Sequence, residues 1–179
     1  MTLAWTLSDR LHRMAVSHAR VTDPRSVAGT IHIDLDHAAY VRDPDAAHRG
    51  LLDLFIGTGP GGTDHRNNIT VALTRFIVDS TVDVNDLLDH AFADLRRLTD
   101  WTETRADRYP IDNRTRGGSV QAGHYAGTTG DRRFLVHKHV IYQRANVVYL
   151  LQCSGTTASD SAVARSTLSD AVVSTRLDD

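Results

Sequence analysis

Two apolar runs in the C-terminal half give the strongest structural signal in the sequence. They span Phe134–Tyr142 and Val147–Cys153, are rich in β-branched and aromatic residues, and are separated by the polar tetrapeptide Gln143–Asn146. This pattern predicts a β-hairpin. Neither run alternates cleanly between apolar and polar residues, which indicates that both faces are covered and that the hairpin lies in the middle of a sheet.

Shorter apolar or alternating segments predict further strands. These are Thr30–Asp36, Ala38–Arg42, Leu51–Ile56, Ile69–Val78, an edge strand over 102–115 that breaks at Pro110, and Val120–Gly127. A turn is predicted at Gly117–Gly118, and a Thr-Thr-Gly-Asp turn joins Val120–Gly127 to the strand that starts at Arg132. The glycine-rich stretch Gly57–Asn68 is predicted to be a loop.

Helical periodicity appears in three places. Residues 3–18, Val82–Leu98 and the segment that ends at Leu177 each place their apolar residues on one face. Because consecutive strands are joined by short turns, we expect an antiparallel sheet that the helices cover. The sequence therefore predicts one α+β domain over 1–179, a twisted antiparallel sheet in α/β/α layers, with the N-terminal helical segment 1–20 docked on it.

Composition narrows the possible partners. The chain has 41% hydrophobic and 23% charged residues, as soluble globular proteins do, and a net charge of −2 with a pI near 6.5. This balance does not favour nucleic acid or anionic lipid as a partner.

Cysteine count and hydropathy restrict the class further. Cys153 is the only cysteine, which excludes an internal disulfide and a cysteine-based zinc site. No stretch approaches the roughly 18–20 apolar residues of a membrane helix. The N-terminal segment lacks a basic region followed by an apolar core, so the sequence as written predicts a cytoplasmic protein without a membrane span.

One glycine pattern resembles a dinucleotide fingerprint. Gly57, Gly59 and Gly62 fit G-x-G-x-x-G after an apolar strand. That motif requires a helix to begin within the glycines, since the N–H groups of its first turn hold the pyrophosphate. Here Pro60 interrupts the motif and polar residues lead into a strand, so we predict a surface loop and no bound cofactor.

A histidine pair gives the only pattern with metal-binding potential. His137 and His139 lie two residues apart on one predicted strand and point to the same face. If the turn at 128–131 is tight, His124 lies near Leu135 on that face, and the three histidines could hold zinc. The simpler interpretation is that neighbouring groups satisfy these side chains.

The lone cysteine is a candidate nucleophile only if a histidine lies close to it. With a turn at 143–146, Cys153 is predicted opposite Val136, on the face away from His137 and His139. A thiol without a nearby base is better interpreted as a small buried core residue.

The central and C-terminal sequence is similar to the LpqN/LpqT-type family of actinobacterial lipoproteins. The similarity rests on an acidic helix motif with a leucine pair, a Gly-His-Tyr strand, a Gly-Asp-Arg-Arg turn and a Tyr-Leu-Leu-Gln strand. Here these are Asp83 with Leu87, Leu88, Ala91 and Leu95; Gly123–Tyr125; Gly130–Arg133; and Tyr149–Gln152. The resemblance implies a Mog1/PsbP-like fold, a binding role instead of catalysis, and relatives that are exported and lipid-anchored.

Three functional hypotheses follow. The first is a non-enzymatic binding or adaptor domain for a protein or a small apolar ligand, which uses one face or edge of the sheet together with the loop at Gly57–Asn68. Its candidate binding residues are Gly59, Pro60, Asp64, His65 and Arg66. The second is a metal-binding or hydrolytic protein that uses His124, His137 and His139. The third is a structural role as a homodimer through an edge strand.

Overall fold

The computed structural model of the protein describes residues 5–27, 29–59, 62–110 and 115–178. Its helices are α1 (Leu7–Met14), α2 (Val84–Leu88) and α3 (Ala162–Ser174), and single 3₁₀ turns occur at Pro24–Ser26, Ala47–Arg49 and Leu95–Arg97. Its strands are β1 (Ala15–Val21), β2 (Thr30–His32), β3 (Tyr40–Arg42), β4 (Asp53–Gly59), β5 (Gly62–Val78), β6 (Thr102–Pro110), β7 (Arg116–Ala126), β8 (Arg132–Arg144), β9 (Val147–Thr157) and β10 (Arg176–Asp178).

The strands form one large antiparallel sheet and one small sheet. The large sheet has the order β3-β4-β5-β9-β8-β7-β6, and β1 also pairs with β5. The predicted hairpin of β8 and β9 is confirmed, and it lies between β5 and β7 in the middle of this sheet. The small sheet pairs β10 with β2, and β10 follows directly after α3 in the chain.

Helices cover both faces of the large sheet. Helix α3 packs on β8 and β9 on one face, while α1 and α2 pack on the other. Each interface has its own apolar core. The core under α3 includes Val71, Leu73, Val120, Val136, Leu151, Cys153, Leu168 and Val172; that under α1 and α2 includes Leu7, Leu11, Phe76, Leu87, Leu88, Ile141, Val148 and Leu150. The α+β architecture with an antiparallel sheet is therefore confirmed.

The N-terminal helix is shorter than its periodicity predicts. Thr6 caps α1 through a reciprocal pair of hydrogen bonds with Asp9, each 3.0 to 3.1 Å long. The helix ends at Met14, and residues 15–21 form β1 instead of continuing to residue 18. The apolar stripe ends at Ala15, so further helix would bury little, whereas a strand satisfies the exposed backbone of β5.

The predicted helix Val82–Leu98 is also shorter. Asp83 caps α2 by accepting a hydrogen bond from the Asn85 N–H, as predicted, but α2 ends at Leu88. The chain then continues in tight turns with bonds such as that from Ala91 N–H to the Leu88 carbonyl. Ala91 and Phe92 stay buried, so the apolar stripe is retained without a continuous α-helix.

One strand prediction and one turn prediction need correction. Thr30–Asp36 contributes only the short strand β2, and Gly117–Gly118 lies inside β7 instead of forming a turn. A Cβ at Gly117 would lie 2.7 Å from the Val84 side chain, so glycine lets α2 approach the sheet closely. Gly155 has the same role on the other face, where a Cβ would lie 2.7 Å from Leu168 of α3.

Candidate functional site

A well-formed cavity lies on the α3 face of the sheet. Its volume is about 400 Å³, within the range of small-ligand sites. It opens where α3 ends, beside strands β6, β7 and β8. We call it the apolar cavity; it is lined mainly by Tyr109, Gly118, Lys138, Val140, Tyr142, Val173 and Leu177, with Arg116, Arg176 and Asp178 at its margin.

Lys138, the only lysine of the chain, joins the cavity to the end of α3. Its Nζ donates a hydrogen bond to the carbonyl of Val173 in the last turn of the helix. Carbonyls in a last turn lack a partner within the helix and carry partial negative charge, so an ammonium group stabilises them. Burial lowers the pKa of Lys138.

Two tyrosines and two arginines complete the cavity wall. The guanidinium of Arg116 lies 4.5 Å from the centre of the Tyr142 ring, an arrangement in which the cation and the aromatic face attract each other. The Tyr109 hydroxyl bonds to Arg105 and lies 3.2 Å from the Asp107 carboxylate. Arg176 forms an exposed ion pair with Asp178 at 3.2 Å. The cavity thus combines apolar walls with charged side chains of both signs at its margin.

Sequence reasoning did not find this cavity. Its walls come from Tyr109, the sheet centre and the last residues of the chain, which only the tertiary fold brings together. One local signal was present: Lys138 is a lone charged residue within a predicted buried strand. A charged residue in such a position is rarely buried without a partner, and here the end of α3 provides it.

The opposite face of the sheet carries a buried histidine pair. The Nε2 atoms of His137 and His139 are 2.9 Å apart, and their Nδ1 atoms lie 2.5 Å from Ser154 Oγ and 3.1 Å from Ser119 Oγ, respectively. Burial lowers the pKa of His137 to about 4. Burial also holds the pKa of His139 well below its usual range, and the neighbouring His137 lowers it further. Both rings are therefore neutral near pH 7.

The predicted cluster of three histidines does not form. In the β7–β8 ladder His124 pairs with Phe134, one position away from the predicted neighbour Leu135. A change of one residue in register moves a side chain to the opposite face, so His124 lies on the α3 side, away from His137 and His139. Within the described part of the chain no three metal-ligating side chains come together.

Cys153 lies on the predicted face but in a different register. It pairs with Lys138 instead of Val136, a shift of two residues that keeps the side chain on the same face of the sheet. Its thiol is buried in the core under α3, and burial raises its pKa to about 12. A thiol in this state does not act as a nucleophile near neutral pH.

The predicted binding loop is instead a β-hairpin. Strand β4 continues to Gly59 and β5 begins at Gly62, with Gly57 paired to Asp64 across the ladder. Backbone hydrogen bonds do not require apolar side chains, so polar residues and glycines did not prevent strand formation here. Pro60 lies outside the described residues, as do the side chains of Asp64, His65 and Arg66, so their role in binding stays a prediction.

Comparisons with known proteins agree with this architecture. The family described as "Probable lipoprotein LpqN" matches residues 4–176 of the chain. The crystal structure of LpqN involved in cell envelope biogenesis of Mycobacterium tuberculosis is similar over 98% of each chain, with a TM-score of 0.71 and 15% identity. That identity supports a shared fold and no more. No curated protein matches the sequence.

The fold defines an α+β domain in which helices cover both faces of an antiparallel sheet. The family match extends over nearly the whole sequence, and the chain belongs to the LpqN family of probable lipoproteins. This membership does not support the cytoplasmic location predicted from the N-terminus. None of the helices in the described ranges is long and apolar enough to cross a membrane. The implied relation to Mog1/PsbP-like folds stays a prediction.

Proposed function

We propose that the protein is a non-enzymatic binding domain of the cell envelope, and that the apolar cavity is its ligand site. The ligand we infer is a small apolar molecule with an anionic end. The observation that carries this proposal is the cavity itself, about 400 Å³ with largely apolar walls. Sites of this kind hold ligands mainly through apolar contact, and a few polar groups fix the orientation.

The charge of the inferred ligand comes from the cavity margin. Lys138, Arg116 and Arg176 bring three cationic side chains to the site, and Asp178 is the acidic residue among those that line it. Asp178 lies 3.2 Å from Arg176, which offsets one of these charges. An acidic head group near Lys138 would gain from the charge of its ammonium group, because the site is partly shielded from water.

The envelope location rests on family membership. The related LpqN of Mycobacterium tuberculosis is described as involved in cell envelope biogenesis, and the family is one of probable lipoproteins. An envelope protein that binds an amphipathic molecule would shield its apolar part from water. This role needs no catalytic group.

Binding of a fluorescent fatty acid tests the proposal. The probe is dansylaminoundecanoic acid, and the matched control ligand is the corresponding alcohol, which lacks the carboxylate. We expect saturable fluorescence enhancement with the acid and weaker binding of the alcohol. Val140→Trp should fill the cavity and abolish enhancement, whereas Val163→Trp, at a residue 75% exposed on the outer side of α3, should not. Equal enhancement by both variants would contradict the cavity assignment.

A protein partner or a second copy of the chain would use a different surface. Strand β6 lies at one edge of the large sheet, where a further strand can pair. The homodimer through an edge strand stays a prediction. Static light scattering over a wide concentration range tests it, since a dimer doubles the molar mass and a constant monomer mass rules the dimer out.

A further inference from the structure

A second concave site lies on the face of the sheet opposite the apolar cavity. Its volume is about 250 Å³, and we call it the polar groove. Its floor comes from the central strands β5, β8 and β9, and its wall from β1 and the turn at Ala47–Arg49. The groove is lined chiefly by Arg20, Arg49, Thr70, His137, Gln152 and Ser154.

The floor of the groove is unusual for the centre of a sheet. On the same face, the other end of these strands is apolar and covered by α1 and α2, as at Phe76, Ile141 and Leu150. Past Thr74 and His139 this face carries the polar side chains of Thr70, His137, Gln152 and Ser154, and no α-helix of the described residues covers them. Buried or half-buried polar groups are tolerated in this sheet centre because they pair with one another, as His137 does with Ser154, and they give the groove a hydrogen-bonding floor.

The two arginines give the groove a positive charge. Arg49 lies 3.5 Å from Asp43, whose side chain is only 12% exposed, and this carboxylate offsets part of the Arg49 charge. Within the described residues the side chain of Arg20 forms no hydrogen bond or ion pair, while its backbone pairs with Thr74 in the β1–β5 ladder. The side chains that line the groove include no carboxylate. Arginine is well suited to oxyanions because its planar fork of N–H donors matches two oxygens at once.

The histidine pair controls what Ser154 can offer to a ligand. A contact of 2.9 Å between two Nε2 atoms requires one ring to donate and the other to accept. If His139 donates, His137 carries its single ring proton on Nδ1 and donates it to the Ser154 oxygen, which leaves the Ser154 hydroxyl proton free. If His137 donates, its Nδ1 accepts the Ser154 proton. An anion in the groove therefore selects the first arrangement.

We propose that the polar groove is a binding site for a phosphate monoester, with Arg20 and Arg49 supplying charge and the Ser119–His139–His137–Ser154 chain orienting the Ser154 hydroxyl as a donor. This site does not depend on the apolar cavity. A volume of 250 Å³ accommodates a phosphate group with a small alcohol attached. The monoester could be free or the head group of a lipid.

Titration with inorganic phosphate, followed by ¹H–¹⁵N NMR at low ionic strength, tests the proposal. We expect saturable shifts at the backbone of Thr70 and Ser154. Arg20→Gln/Arg49→Gln should raise the dissociation constant at least about tenfold, and Ser154→Ala about fivefold. The control Arg25→Gln/Arg144→Gln removes the same charge from exposed positions elsewhere and should change it less than about twofold. An equal loss in both double variants, or no saturable shift, would overturn the proposal.

A further measurement distinguishes a histidine pair with a purely structural role from one that responds to the ligand. Imidazole ¹⁵N shifts should show that phosphate moves the proton of His137 from Nε2 to Nδ1; unchanged tautomers would refute the orienting role.

Glycerol 3-phosphate and vesicles of phosphatidic acid in phosphatidylcholine distinguish the two sources of the monoester. If only glycerol 3-phosphate binds in a groove-dependent way, the natural ligand is a free monoester. If the phosphatidic acid vesicles bind as well, it is a lipid head group. If neither binds, the proposed site is wrong.

Discussion

The Nε2 atoms of His137 and His139 lie 2.9 Å apart in the interior of the protein, and His139 is only 1% exposed. Two neutral imidazoles can share this contact, but two imidazolium ions cannot, since both would donate and repel. The pair therefore makes the fold sensitive to acid.

The free energy of unfolding should fall between pH 6.5 and about 4. Burial lowers the pKa of His137 to about 4 in the folded protein, while the unfolded chain titrates near 6.5. In this interval the unfolded state binds more protons, so stability is fully present above pH 6.5 and is lost as pH falls toward 4. The shift of His137 alone corresponds to roughly 3 kcal/mol.

Urea unfolding at a series of pH values measures this loss. His137→Gln should flatten the profile in the acid range, whereas His48→Gln, at a side chain 88% exposed, should leave it unchanged. A wild-type profile that is flat from pH 6.5 to 4.5 would show that the pair is not held neutral by burial.

Close packing of α3 on the sheet should depend on Gly155. A Cβ at this position would lie 2.7 Å from Leu168 Cδ1 and 2.9 Å from Val172 Cγ2. We expect Gly155→Ala to lower the free energy of unfolding by about 1–3 kcal/mol, because the helix must move away from the sheet. Thermal unfolding of Gly155→Ala, Leu168→Val and the double variant tests this explanation. The double variant should lose less than the sum of the two; strict additivity would show that the clash is absent.

The role of Lys138 in ligand binding can be separated from its role in stability. Lys138→Met keeps the length of the side chain but removes its charge and its hydrogen bond to the Val173 carbonyl. We expect the dissociation constant for the dansyl fatty acid to rise about tenfold and that for the dansyl alcohol to change little, since only the acid interacts with the charge. A parallel loss for both probes would mean that the substitution acts through α3 and not through the ligand charge.

The sequence predicted the central hairpin of the sheet better than the register in which its strands pair. The β8–β9 hairpin was evident because two long apolar runs flank a polar turn, and long apolar strands belong in a sheet centre. The register was harder, since a tight turn can shift pairing by one residue without changing the pattern. The pairing of His124 differs from the prediction by one residue, which places it away from the other two histidines. The pairing of Cys153 differs by two residues, which leaves its side chain on the predicted face.

Strand β1 and the two concave sites could not be predicted, for related reasons. Residues 15–21 are mostly exposed and pair with β5 through their backbone, so their side chains carry little periodic signal. The apolar cavity and the polar groove are each assembled from segments far apart in sequence. Local patterns identify the face of a residue at best, while a site depends on which strands become neighbours.

The central claim is that the apolar cavity, on the α3 face, binds the apolar ligand. Paramagnetic relaxation of methyl resonances by a doxyl-labelled fatty acid measures this directly. We predict strong broadening at Val140 and Val173, which line the cavity, and none at Val148 and Leu150, which are buried on the opposite face. Broadening at Val148 and Leu150 instead, or uniform weak broadening over all methyl groups, would contradict the account.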